Sequence, residues 1–272
     1  MQFMSRSDTV IAPARLPRTR GGFTLIELAV ALVIITVLLS AILVPVTTQV
    51  VQRKINDTQK TLEDAKEALL GFAVASGRLP CPASSTSNGV ESFAGGGSAA
   101  DGNCSNFFDG FLPAVTLGLT PVDAAGYAVD GWGGTQNRIR YAVSNQTVAT
   151  VTNPFTKVNG MRSATMASMS ATPLLYVCGS ATGVVAGTSC GTAVKLADNA
   201  PVIIWSNGAN AATTGGAGVD EAQNPNSNGG SADKIFVSRS TSNVAGSEFD
   251  DIVTWIAVGS LSSRMVAAGQ LP

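Results

Sequence analysis

The chain has 272 residues, 45% of them apolar and only 13% charged, with a formal net charge of −1. It contains no histidine, and its four cysteines form no CxxC pair, which removes the usual parts of zinc fingers, redox CxxC sites and histidine-dependent catalysis. The length suggests one or two domains, and the slightly acidic balance argues against general nucleic-acid binding, which needs a basic surface.

Charge is divided unevenly along the chain. Residues 1–22 hold Arg6, Arg15, Arg18 and Arg20 against Asp8, which leaves 13 basic and 17 acidic residues for the rest. An apolar run follows from Leu28 to Val46, interrupted by Thr36 and Ser40. It is long enough to cross a bilayer as a helix. Basic residues before it and acidic ones after it predict a cytoplasmic N-terminus and an extracytoplasmic bulk. A general export signal has the same outline but is cut after its apolar stretch, at small residues of A-x-A type. No convincing site of that type follows here, so the alternative is cleavage before the run, between Gly22 and Phe23. One carboxylate, Glu27, sits at the front edge of the run, where membrane burial costs on the order of 2–3 kcal/mol or more.

The stretch GG-FTLIE, Gly21 to Glu27, followed by an apolar helix, resembles the leader junction of type IV pilins and type II secretion pseudopilins. The resemblance implies that a membrane-embedded prepilin peptidase removes residues 1–22 and methylates the new terminus at Phe23. It implies an α+β fold: a long spine helix, membrane-embedded over its first half, packed on a C-terminal antiparallel β-sheet head with long disulfide-closed loops. Residues 23–46 would form the transmembrane and filament-core segment, 47–77 the amphipathic second half of the spine, and 78–272 the extracytoplasmic head.

Phe23, Glu27 and Pro45 are the assembly residues implied. Cutting before Phe23 creates a positive amino group and unsatisfied donors at a helix start. A carboxylate one turn on, in the same subunit or a neighbour, would neutralise it, and a paired buried charge costs far less than a lone one. The plainer reading places Glu27 at the interfacial edge, reaching water. Pro45 removes one helical hydrogen bond and would bend or loosen the spine; its plainer reading is a helix end at the membrane surface.

The second half of the spine carries its own signal. Ile55, Leu62, Leu69 and Phe72, with Ala65 and Ala73 between them, recur at helical spacing, and charged residues occupy the other faces. Gly77 and Pro80 are ordinary stop signals. Phe23 to Ser76 would thus make one helix of roughly 80 Å at 1.5 Å per residue. From Leu79 to about Gly134 the composition turns to Gly, Ser, Asn and Pro, which predicts loops. Cys81, Cys104, Cys178 and Cys190 in an exported segment read as two disulfides. Three pairings are open, with the local ones, Cys81–Cys104 and Cys178–Cys190, favoured. In the pilin family a Gly/Trp turn like Gly131–Gly134 introduces the first sheet strand.

Short runs rich in β-branched or aromatic residues predict strands at Ile139–Val143, Leu174–Cys178, Val202–Trp205, Ile235–Val237 and Ile252–Ile256. With a preceding helix and no βαβ alternation, an antiparallel sheet on the spine is the economical arrangement. LSSRMVAAGQ, from Leu261, predicts a short closing helix with Leu261 and Met265 on one side.

Candidate chemistry is sparse. GTSCG, Gly187 to Gly191, matches a nucleophile elbow, but that motif needs a strand–turn–helix setting and a histidine base. Clustered oxygen donors on a loop, Asp220, Glu221, Asn224, Asn226, Asn228 and Asp233, suit calcium, as in major pseudopilins that resemble this region. We carry Asp220, Glu221, Asn224 and Asp233 as the calcium candidates, with a solvated polar loop as the plainer reading; no other cofactor is expected. Asp250 and Asp251 are expected on opposite faces of a strand, hence not in one site. Trp132, Trp205 and Trp255 read as core, and Arg138 and Arg140 could face one side of a strand.

The reading that follows is a non-enzymatic minor pilin or pseudopilin. It would cross the bacterial inner membrane once, with its head in the periplasm, before entering a pilus or pseudopilus. Its partners would be other pilin subunits, prepilin peptidase and the assembly platform. The alternatives are a membrane-anchored envelope hydrolase and a pilus-tip adhesin or DNA-uptake module.

Overall fold

The computed structural model describes residues 22–213, 218–225 and 233–271, with the side chains of residues 39–47 outside the description. Two compact units emerge, Met1–Val50 and Val51–Pro272. In the first, helix α1 (Leu25–Ser76) begins, and its apolar side chains from Leu25 to Leu38 stand exposed. Among the described residues no helix is long and apolar enough to cross a membrane. The expected span, Leu28–Val46, runs into the segment whose side chains are not described. The helical assignment continues through Pro45, so α1 does not end there.

In the second unit, Thr58, Leu62, Ala65, Leu69 and Ala73 of α1 are buried. Their spacings of three and four residues put them on one face. Phe72 is only half-buried, and Leu70 takes the inner place instead. The helix stops where Gly77 adopts φ +68° and its N–H bonds the Ala73 carbonyl at 2.9 Å, a left-handed position that glycine occupies without Cβ strain.

Four strands form an antiparallel sheet in the order β1 (Gly110–Phe111), β2 (Arg140–Val143), β5 (Val202–Ser206), β9 (Ile252–Ile256). The β2–β5 register runs from Arg140 opposite Trp205 to Val143 opposite Val202. Alternation along these strands separates two cores. Tyr141, Val143, Val202 and Ile204 join the α1 stripe together with Leu261 and Met265 of helix α5 (Val258–Ala267). Ala142, Ile203 and Trp205 face the other way, against Leu175, Val177 and Phe236. Both faces are covered, which explains why VIIW, Val202 to Trp205, reads as an unbroken apolar run. Truncating a fully buried position such as Leu69 to alanine would cost about 2–5 kcal/mol.

The second core rests on a second sheet, ordered β4 (Lys195–Ala200), β3 (Leu175–Cys178), β6 (Ile235–Val237). The four-stranded sheet is antiparallel as expected, but the expectation of a single sheet is corrected here: β3 and β6 lie in a second sheet and run parallel. β4 is an edge strand with exposed Lys195 and Leu196, and its charges hid it from the pattern of apolar runs. A hairpin, β7 (Ser242–Val244) and β8 (Ser247–Phe249), forms a third sheet. Three short helices, α2 (Ala114–Leu117), α3 (Gly160–Ala164) and α4 (Met166–Ala171), were also not foreseen. α5 begins at Val258, three residues before the expected Leu261, and no capping side chain marks that start in the sequence; Leu261 and Met265 are both buried.

The Gly/Trp turn sits directly on α1. A Cβ at Gly131 would fall 2.3 Å from the Lys54 carbonyl oxygen, so only glycine permits the approach. The Gly131 N–H donates to Thr58 Oγ1 at 2.9 Å. Asp130 holds the turn by accepting from the Trp132 N–H at 2.9 Å and from Ser206 Oγ at 2.5 Å.

Candidate processing and assembly site

Gly22 and Phe23 precede the first turn of α1, and Phe23 is 85% exposed. Among the described residues, no heavy atom lies within 4 Å of where a Cβ at Gly22 would stand. The Leu28 N–H bonds the Thr24 carbonyl, which makes Thr24 the N-cap. Thr24 and Glu27 then complete a capping box. Glu27 Oε2 accepts from the Thr24 N–H and the Thr24 hydroxyl, each at 2.9 Å, and the Glu27 N–H donates to Thr24 Oγ1 at 3.3 Å. Neither expected role for Glu27, partner of an amino terminus or carboxylate at the interfacial edge, took Thr24 into account. The signal was present: threonine, two residues, then glutamate at the front of an apolar run.

The surface beside this box is apolar. Ile26, Val30, Ala31 and Ile34 surround Glu27 in a shallow groove, so the carboxylate is the one acidic group in a hydrophobic stripe. Phe23, Glu27 and the Gly22–Phe23 bond are close along the chain and accessible together. Pro45 is separated from them by about five helical turns, and its side chain lies outside the described residues. Of the expected leader, residues 1–22, all but Gly22 also lie outside them.

In the second unit both local disulfides are present, Cys81–Cys104 and Cys178–Cys190, with Cα separations of 5.3 and 5.6 Å. Cys190 of GTSCG is therefore bonded to Cys178. Where α1 ends, Arg78 forks onto Glu91 at 2.6 and 2.7 Å, and Glu91 also accepts from the Cys81 N–H at 3.1 Å. This buried pair ties the helix end to the first disulfide loop.

The calcium candidates do not converge as a set. Asp220 pairs with Arg239 at 2.6 Å, Asn224 brackets the edge of β6 through both the N–H and the carbonyl of Val237, and Asp233 accepts from the Ile235 N–H. Asn226 and Asn228 lie outside the described residues. Among the described residues Glu221 is the candidate that meets other carboxylates, those of Asp250 and Asp251, whose oxygens lie within 4.8 Å of its own and of one another. That corrects the expectation for Asp250 and Asp251: both precede β9, so strand alternation does not separate them. Asn224 Nδ2 donates to Asp251 at 2.7 Å, and Glu221 accepts from the Asp250 N–H at 2.7 Å. Burial, with the neighbouring Glu221 charge, pushes Asp250 up to about 6, and burial holds Asp251 well above the usual carboxylate range. Among the described residues these three are the donors that could hold a hard cation.

The remaining singled-out residues divide. Trp205 is fully buried with its indole N–H on the Pro225 carbonyl, whereas Trp132 and Trp255 are half-buried. Arg138 and Arg140 do share a side, both lying over the Phe111 ring at 5.8 and 4.3 Å.

No curated protein and no solved structure matches the chain. Residues 17–43 match the family model of the prokaryotic N-terminal methylation motif, and the chain thereby carries the signature of type IV pilins and pseudopilins.

Proposed function

We propose that this protein is a minor pilin or pseudopilin, a structural subunit cut between Gly22 and Phe23 and drawn from the bacterial inner membrane into a filament. The motif match over residues 17–43 supports a pilin-like or pseudopilin-like protein, and with it processing by prepilin peptidase and assembly with other pilins. The observation that carries the finer reading is the accessible Gly22–Phe23 bond set against a capped helix whose apolar side chains stand exposed.

Such a surface is stable only when covered by lipid or by neighbouring helices. The first half of α1 would occupy the membrane and later the filament core, with residues 51–272 outside. Cleavage would free the Phe23 amino group within one turn of Glu27, whose charge would then offset it. The protein performs no bond chemistry on a substrate in this reading; its mechanism is assembly.

The test is the intact mass and N-terminal sequence of the protein from its native membrane. A chain beginning at Phe23 and carrying one added methyl group is expected. A chain beginning after Val46 would mean an ordinary export signal and would remove the assembly role from Glu27.

A further inference from the structure

Arg140, the first residue of β2, lies on the sheet face that carries Trp205. Its side chain is only 3% exposed, and its guanidinium sits 4.3 Å from the centre of the Phe111 ring and 6.0 Å from that of Trp205. It is ion-paired with Asp109, whose side chain is 28% exposed. Arg140 Nε meets no acceptor among the described residues. Burial brings the group down to about 10, so it stays cationic at neutral pH. A buried donor without an acceptor is costly, and a ligand oxygen would relieve it.

Arg140 and Asp109 line a cleft of about 370 Å³ together with Ser84, Ser85, Ser105 and Phe111, a volume in the range of small-molecule sites. The charges narrow the ligand. A free anion would meet Asp109, the more exposed partner, and a cation would meet Arg140. A hydroxyl is the neutral group that donates and accepts at once, so it can give its proton to Asp109 while accepting from Arg140. The walls extend the same chemistry. Ser105 Oγ donates to the Ser92 carbonyl at 3.2 Å and retains acceptor capacity, and Ser85 is exposed at the mouth.

We propose that this cleft binds a saccharide, with ring hydroxyls bridging Asp109 and Arg140 and the serines lining its rim. This is a binding function of the second unit, separate from processing at Gly22–Phe23; a processed chain that binds no sugar would lose this inference alone.

The test uses the full-length protein in a detergent without a sugar headgroup, applied to an array of mono- to tetrasaccharides. The strongest hit is then titrated by calorimetry. Saturable binding is expected, weakened by about tenfold or more, 1.4 kcal/mol, in Ser85→Trp and in Asp109→Ala. Ser85 is exposed, so Ser85→Trp fills the mouth while leaving the unfolding midpoint unchanged. It decides the matter alone if Asp109→Ala fails to fold. A blank array overturns the proposal, as does a hit whose affinity is the same in wild type and Ser85→Trp.

Discussion

Thr24 and Glu27 bond to each other in both directions across the first turn of α1, the carboxylate accepting from the Thr24 N–H while the Glu27 N–H donates to the Thr24 hydroxyl oxygen. A single acidic residue in an apolar stripe thus has a local partner before any second subunit arrives. Its desolvation is partly offset by hydrogen bonds rather than by an opposite charge, which leaves the charge itself available to an amino terminus.

Two substitutions separate the cap from the charge. Glu27→Gln retains the acceptor that a capping box needs but loses the negative charge. We expect this variant to be processed normally and to be absent from purified filaments, as judged by immunoblotting. Thr24→Ala removes the N-cap and costs about 1 kcal/mol of helix stability, so incorporation should fall only modestly. Normal incorporation of Glu27→Gln would reduce Glu27 to a capping residue.

Gly22 offers a test of processing free of folding effects. Among the described residues a side chain at Gly22 meets no neighbour, so Gly22→Val should fold as wild type does. The expected outcome is an uncut chain of full precursor mass by mass spectrometry. Processing of this variant at the wild-type rate would count against cleavage at the Gly22–Phe23 bond.

The Arg78–Glu91 pair should dominate the stability of the helix end. Its side chains are 9% and 13% exposed, so removing one partner strands a buried charge. Glu91→Ala is expected to destabilise the protein by about 3–5 kcal/mol in denaturant unfolding. The double variant Arg78→Met, Glu91→Leu should recover much of that loss. An effect below about 1 kcal/mol, the ordinary value of an exposed pair, would show that solvent reaches this site.

Removing either disulfide as a serine pair should also be costly. The closed loops span 23 and 12 residues of sequence separation, and the chain-entropy account gives about 3 kcal/mol for each. Near-equal losses in thermal melts are expected. A far larger loss for Cys81→Ser, Cys104→Ser would place that bridge in the native packing beside Leu79 and Leu112.

Stability should depend on pH through Asp250. Its folded pKa of about 6 lies above the ordinary carboxylate value near 3.9. Between these values the folded state binds more protons than the unfolded one, so stability falls as pH rises. Asp250→Asn should therefore match wild type near pH 4 and exceed it at pH 7. Parallel midpoint-versus-pH curves for the two proteins would refute this.

Much of this molecule was legible in the chain itself. The positions of Gly22, Phe23 and Glu27, the run of α1 to Ser76 and the stop at Gly77 follow from contiguous residues and period. Strands at Ile235–Val237 and Ile252–Ile256 were placed to the residue because short β-branched runs lie between turn formers. Both disulfides joined the cysteines nearest in sequence, where loop closure costs least. The capping role of Thr24 was equally local and needed only the four-residue pattern.

Tertiary structure decided what depends on distant partners. β4 reads as polar, and it is a strand because β3 supplies its hydrogen bonds. The parallel pairing of β3 with β6 has no mark in either segment. Glu221 is brought to Asp250 and Asp251 across almost thirty residues, and Arg140 to Asp109 across a similar distance. Period and propensity act within a few residues, whereas these meetings are set by which faces must be covered once α1 and two sheets share their cores. The sequence determined α1, its stop and the apolar strands, and it carries the N-terminal methylation motif; packing determined β4, the layers and the clefts.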